Sequence, residues 1–215
     1  MRINPDSGFV HFTNKVFDTM IITALLLAGA VPVVTFGPFW TAAQAALLAV
    51  QRGDCSSVLK TFFSSLRQNF RQALLLWFPT MLVGLVVAAD IAVCCFFTGE
   101  GGTVRWVMIG LTAFCTFFYT GMSVYLFAGL AAFHVTNREA LHNAWVWFTG
   151  NFTSAVLLAV LYFGIFAAVW LAWIWAFPIV ALCLYIQAGV LNRVFGFVSP
   201  KQPGADPEDR QIYYE

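Results

Sequence analysis

Two long runs without a single Asp, Glu, Lys or Arg, Thr19 to Gln51 and Ala140 to Asn192, limit this chain more than any other feature. Each exceeds the roughly 20 residues that one helix needs to cross the hydrocarbon layer of a bilayer. In that layer the backbone must satisfy its own hydrogen bonds, so uncharged runs of this length read as helices. A third run, Gln72 to Phe97, is interrupted only by Asp90, and a fourth, Val104 to Phe133, only by Arg105. Charged residues make up 10% of the chain, against about 25% in soluble domains. So few charges cannot cover a water-exposed surface, and the bilayer has to act as solvent.

Breakers inside the runs divide them into six expected spans. The segment Val31-Pro-Val-Val-Thr-Phe-Gly-Pro38 separates span 1, Phe17 to Val34, from span 2, Pro38 to Val50, because proline cannot continue a helix ladder and glycine permits a reversal. Span 2 is short, and tilting or bilayer thinning would complete it. Span 3 runs from Gln72 to Phe97, the turn Thr98-Gly-Glu-Gly-Gly-Thr103 follows, and span 4 runs from Val104 to Phe133. Pro178 divides span 5, Phe152 to Phe177, from span 6, Pro178 to Phe197. The fold class is therefore an all-α polytopic transmembrane helical bundle of about six helices. It forms one transmembrane domain over residues 1–198, with a solvated tail over 199–215 that holds Pro200, Pro203 and Pro207 among charges. Met1 to Asp18 carries both charge signs and no small-residue cleavage site, so the first apolar segment is expected to be retained.

Basic residues set the expected orientation. Arg52, Lys60, Arg67 and Arg71 stand against Asp54 between spans 2 and 3, Arg138 lies between spans 4 and 5, and Arg193 and Lys201 flank the end of span 6. The opposite side offers Arg105 beside Glu100. The cation-rich side is the inner one, which puts both termini in the cytoplasm and the chain in the cell membrane. Tryptophans fit this map: Trp40, Trp106, Trp170, Trp173 and Trp175 near outer ends, Trp145 and Trp147 near the inner face.

Leu59 to Leu76 and Leu141 to Leu158 align at a constant offset, pairing Asn69-Phe70 with Asn151-Phe152 and Leu75-Leu76 with Leu157-Leu158. This suggests a parallel internal repeat of spans 2–3 and 4–5. Within Ser57 to Phe70, Val58, Leu59, Phe62, Phe63, Leu66 and Phe70 recur at helical spacing, with Lys60, Arg67 and Arg71 off the stripe or at its edge. Such a segment is expected to lie as an amphipathic helix in the cytoplasmic interface. Leu141, Trp145, Phe148 and Phe152 repeat the pattern. The two loops, with Arg52, Asn69, Arg138 and Asn151, either anchor the chain in lipid or dock a partner. In span 5, Gly164, Ala168, Ala172 and Ala176 recur four apart. That spacing forms a packing seam toward a neighbouring helix or another subunit.

Asp90 is the acidic residue well inside a span, where an unpaired charge costs at least a few kcal/mol. It either serves function or makes a structural hydrogen bond to a hydroxyl such as Thr112 or Thr116. Gln44, Gln187 and Asn192 are the other candidate polar residues in spans, explained by helix-to-helix hydrogen bonds or by a pathway. No motif of a nucleophile elbow, phosphate loop or two-histidine metal site is present. The five cysteines lack metal-ligand or disulfide spacing. No catalytic residue, metal or cofactor is expected, and no nucleic-acid partner, since no basic tract exists.

The proline-bounded run Val31 to Pro38, the alanine-rich helix after it, Phe62-Phe-Ser-Ser-Leu-Arg-Gln-Asn-Phe70, and Asp90 closing span 3 together resemble the YesL family of bacterial membrane proteins, domain-of-unknown-function family 624. Tyr125-Leu-Phe127 ahead of Phe133, then Asn143-Ala144, extend the likeness over residues 10 to 198. Ala128 departs from it, standing where the family tends to have proline. The resemblance implies a non-catalytic accessory component linked to carbohydrate import of the ATP-binding-cassette type, with permease subunits or a second copy as partners. The alternatives are a small stand-alone secondary transporter using Asp90, and a structural membrane scaffold.

Overall fold

A computed structural model describes residues 8–53, 57–96, 102–133, 135–171 and 176–196. The turn at 97–101, Cys55, His134, Ala172, Trp173, Trp175 and the tail 199–215 lie outside the described residues, as do the side chains of Ala168, Trp170 and Ala176. The described residues form seven α-helices and no strand: α1 (Gly8–Ala30), α2 (Phe36–Arg52), α3 (Val58–Phe96), α4 (Thr103–Ala132), α5 (Asn137–Gly150), α6 (Phe152–Leu171) and α7 (Ala176–Val194). The chain is an all-α helical bundle.

The proline-rich break falls where expected but is tighter. α1 stops at Ala30, a 3-10 turn occupies Val33–Thr35, and α2 begins at Phe36. Thr35 Oγ1 closes the corner by donating to the carbonyls of Gly29 and Pro32, each at 2.9 Å. Pro38 lies within the first turn of α2, where a missing N–H leaves no ladder bond unmade. Pro178 occupies the equivalent place in the first turn of α7.

α2 packs against α1, α3, α4 and α7. Twelve of its 17 residues are buried, from Gly37 to Val50. Its alanines, Ala42, Ala43 and Ala46, let the surrounding helices approach closely. With the 3-10 turn before it, α2 makes a helical stretch of 20 residues, Val33–Arg52, longer than the expected Pro38 to Val50.

The largest correction concerns α3. Ser57 to Phe70 is not a separate helix lying in the interface; it continues without a break into the span, giving one helix of 39 residues. No glycine or proline interrupts Val58 to Phe78, and Arg71 and Gln72 are good helix formers. At 1.5 Å per residue α3 is about 58 Å long, well beyond the ~30 Å hydrocarbon layer. Its two halves have different partners. The first half lies along α2, with Gly37 against Ala73 and Trp77. The second half pairs with α4 as an antiparallel hairpin, tied by Asp90 to Thr112; ahead of it Trp77 already meets Phe127, and Gln72 Nε2 donates to the carbonyl of Val135, just past the end of α4, at 2.6 Å. Pro79 sits near the handover and removes the ladder bond to the Leu75 carbonyl.

Beyond Pro79 and before Gly121, Cys94 and Thr112 are the buried side chains among the described residues. Many of the other residues of that outer hairpin are apolar and exposed, including Leu82, Val86, Trp106 and Phe114.

The second expected amphipathic segment does form its own helix, α5. Thr136 caps it: its side chain accepts from the Glu139 N–H, and the Glu139 carboxylate accepts from the Thr136 N–H at 2.8 Å. α6 follows at 99° to α5. Asn151, outside the helical region, serves both ends: its N–H bonds to the Trp147 carbonyl and its carbonyl accepts from Ala155.

Four helical stretches are long and apolar enough to cross a membrane: Val33–Arg52, Val58–Cys94, Arg105–Ala132 and Phe177–Val194. The bent α5–α6 pair makes a fifth if counted as one broken span. α1, expected as a further span, carries Asn14, Lys15 and Asp18 in its first half and is not among them.

Candidate functional site

The first turns of α2, the middle of α3, the middle of α4 and the middle of α6 meet around a partly open recess of about 140 Å³. Phe36 and Trp40 come from α2, Trp77 from α3, Tyr119, Ser123 and Phe127 from α4, and Tyr162 from α6. Phe36 and Trp40, one turn apart, have ring centroids 5.6 Å apart and nearly parallel planes. Trp77 sits 5.1 Å from Phe36 and 6.0 Å from Phe127, and Tyr162 6.0 Å from Trp40. Trp77 is placed twice over. Its Nε1 donates to the Val33 carbonyl at 2.8 Å. Its Cβ lies where a side chain on Gly37 would be, so only glycine there admits the tryptophan at this depth.

Three hydroxyl groups belong to this wall, those of Tyr119, Ser123 and Tyr162. Ser123 Oγ already donates to the Thr120 carbonyl at 2.9 Å. Tyr162 Oη is buried without a hydrogen-bond partner. The Gln187 side chain is the polar group it faces, but no hydrogen bond closes between them.

Three of the polar residues singled out from sequence lie in the core. Gln44 is 0% and Gln187 1% exposed, and neither amide has a partner at either end among the described residues. Asn192 Nδ2 donates to the Leu48 carbonyl at 3.3 Å, tying α7 to α2. Sequence reasoning missed a second tie of this kind: Gln51 Nε2 donates to the Tyr185 carbonyl at 2.8 Å. Gln51 ends an uncharged run, a place where a polar residue signals nothing in particular.

Asp90 lies elsewhere, on the outer hairpin. It is half-buried, and its Oδ2 accepts from Thr112 Oγ1 at 2.8 Å. Cys94 Sγ lies 3.0 Å from the same hydroxyl. Thr116 bonds instead to the Thr112 carbonyl. One of the two hydroxyl partners considered for Asp90 is thus the one it has, and the cluster ties α3 to α4.

The residues considered for docking separate into two groups. Phe62 is fully buried with its ring 5.9 Å from Phe39, so it belongs to the core and to no docking surface. Lys60, Phe63, Arg67, Phe70 and Arg71 are exposed on α3, with Asn69 half-buried and its Nδ2 donating to Ser65 Oγ. Arg52 is half-buried at the end of α2. On α5, Arg138 and Trp145 are exposed while Ala140, Ala144 and Phe148 are buried. Phe148 rests over Gly121, with Phe117 and Phe118 around it at 5.7 and 5.1 Å. α5 therefore packs along α4. At the hinge, Asn151 is half-buried and Phe152 exposed, its ring 5.7 Å from Phe117. Of the proposed seam, Gly164 is exposed with open space where a side chain would stand; Ala168, Ala172 and Ala176 fall outside the described side chains.

The family model of DUF624, a protein family of unknown function, matches residues 9–91. No curated protein and no solved structure matches the chain. The matched region contains α1, α2 and most of α3, and with them Phe36, Trp40, Trp77 and Asp90.

Proposed function

We propose, for a chain whose residues 9–91 match the DUF624 family model, that it is a non-catalytic accessory membrane component working beside a carbohydrate importer of the ATP-binding-cassette type. Its coarser identity, a membrane protein built of apolar helices, stands on the length and apolarity of those helices. The accessory role is supported chiefly by the outer hairpin. There α3 and α4 lean on each other and leave Leu82, Val83, Leu85, Val86, Trp106, Val107 and Phe114 uncovered. Two helices with so wide an apolar surface are suited to pack against the membrane helices of another subunit. In this reading Arg67, Arg71 and Arg138 face the cytoplasm of the cell membrane.

A stand-alone transporter is the second reading, and the geometry favours it less. The recess of about 140 Å³ is smaller than the ~300 Å³ at which sites for drug-sized ligands begin, so it has room for a small group and not for a sugar. Asp90 is spent on Thr112 rather than directed into that recess.

Mild crosslinking in the native membrane, followed by affinity purification in a gentle detergent, tests the proposal. Importer permease subunits should come down with the chain. A clean monomer with no permease attached would reject it, and uptake by proteoliposomes of the chain alone would favour the transporter instead.

A further inference from the structure

We propose that the aromatic recess binds a methylated ammonium group of choline type. The proposal concerns a ligand of the recess and does not depend on the accessory reading.

The composition of the wall argues for it. Six of the seven lining residues are aromatic, none is aliphatic, and none carries a charge. This chain has leucine, valine and isoleucine in plenty elsewhere on its surface. A slot for an acyl chain would draw on those. An all-aromatic wall favours an occupant that gains from π electrons, and a cation does.

The scarcity of free hydroxyls separates the two ring-loving ligands. A sugar entering the recess would give up hydrogen bonds to water on most of its hydroxyls. The wall sets only three hydroxyls against them: Ser123 is engaged with the Thr120 carbonyl, Tyr162 Oη is buried, and Tyr119 is the third. Unreplaced hydrogen bonds of that kind are costly. A quaternary ammonium has no N–H to satisfy, and choline carries a single hydroxyl, so far fewer hydrogen bonds are lost. The cavity is also of the right order: about 140 Å³, close to the ~150 Å³ that holds a ligand of benzene size.

The group could come from free choline or from a phosphatidylcholine headgroup. The full chain, purified in dodecyl maltoside, would be titrated with choline while its tryptophan fluorescence is followed. The control ligand is 3,3-dimethylbutan-1-ol, which replaces the charged nitrogen by carbon at the same shape. Choline should give a saturable change, and the uncharged control should bind at least about tenfold more weakly. Equal affinity for the two would overturn the proposal and leave a plain apolar pocket; so would the absence of any saturable change.

Trp40→Leu should weaken choline by about tenfold or more, whereas Tyr119→Phe, which keeps the ring, should stay within about threefold of the parent. If Trp40→Leu fails to fold, Tyr119→Leu takes its place with the same expectation. An undiminished affinity in either leucine variant puts the cation outside the recess and overturns the assignment. Repeating the titration in phosphatidylglycerol nanodiscs with and without phosphatidylcholine identifies the source. Suppression of the choline signal by phosphatidylcholine assigns the site to the headgroup, and an unchanged signal assigns it to the free cation.

Discussion

Asp90 illustrates how far a single residue can be argued. Its side chain needs a partner in an apolar hairpin, and Thr112 supplies one at 2.8 Å. If the pair is a tie between α3 and α4, removing the donor should hurt more than removing the charge. Thr112→Val leaves the half-buried carboxylate without its hydrogen bond and should cost about 1–3 kcal/mol. Asp90→Asn keeps an acceptor oxygen for the same hydroxyl and should cost less than about 1 kcal/mol. Thermal unfolding of the two variants in detergent decides between them. A larger loss for Asp90→Asn would mean that the charge itself matters, which is what a transport role needs. The polar residues were visible in the sequence because each stands in an otherwise apolar span. Their partners were not: Thr112 and Thr116 lie one turn apart and are equivalent on paper, and only the register of α3 against α4 chooses between them. The recess was less legible still. Trp40 reads as a belt residue when seen alone, and Phe36, Trp77, Tyr119 and Tyr162 are scattered over more than half the chain.

Helix boundaries tracked their breakers closely; helix continuity did not. Pro38 and Pro178 lie in the first turns of α2 and α7, where proline is tolerated. The two amphipathic segments, which look like copies of one another, differ at one point. Asn69 sits inside α3, with Gln68 before it, and its amide bonds to Ser65. Asn151 follows Gly150 and leaves the helical region, with φ −124° and ψ 52°. Glycine lowers the cost of leaving the helix, so one copy runs straight and the other bends. α5 then depends on its cap. Thr136→Ala should cost about 1 kcal/mol and raise hydrogen exchange across the first turn of α5. The carboxylate of Glu139 is held below its ordinary value of 4.5, first by the Thr136 backbone N–H and then by the Thr136 side chain. A carboxylate depressed in the folded state contributes fully above 4.5, and its contribution fades as pH falls through the lower folded value. Protection in that turn, taken relative to the intrinsic exchange rate at each pH, should therefore drop on acidification below about 4.5 in the parent chain. In Thr136→Ala this acid step should shrink, because one of the two groups lowering the carboxylate is gone. An acid step of equal size in both would disconnect Glu139 from the cap.

At the level of the whole molecule, the handover of α3 from α2 to α4 fixes what can cross the membrane. The part from about Pro79 onward, in which Asp90 is the one charged residue, pairs with α4, whereas Arg67 and Arg71 lie on the part that runs beside α2. From Arg67 to Phe96 the helix rises about 43 Å, more than the ~30 Å hydrocarbon layer. If the outer hairpin crosses, Arg67 and Arg105 must emerge on opposite faces, with Arg67 inside by the excess of basic residues around it. The measurement begins from a variant in which Cys55, Cys94, Cys95, Cys115 and Cys183 are replaced. Arg67→Cys and Arg105→Cys are then introduced singly and labelled in intact cells with a maleimide that cannot cross the membrane. The second should label at once and the first only after permeabilisation. Labelling of both from outside would mean that α3 and α4 do not form a crossing hairpin, and the exposed apolar face between them would need a protein cover rather than lipid. The reverse pattern would keep the hairpin but invert it, placing the basic residues outside against the rule that set the orientation. Each result thus separates the geometry of the hairpin, which rests on its internal contacts, from its direction, which rests on charge alone.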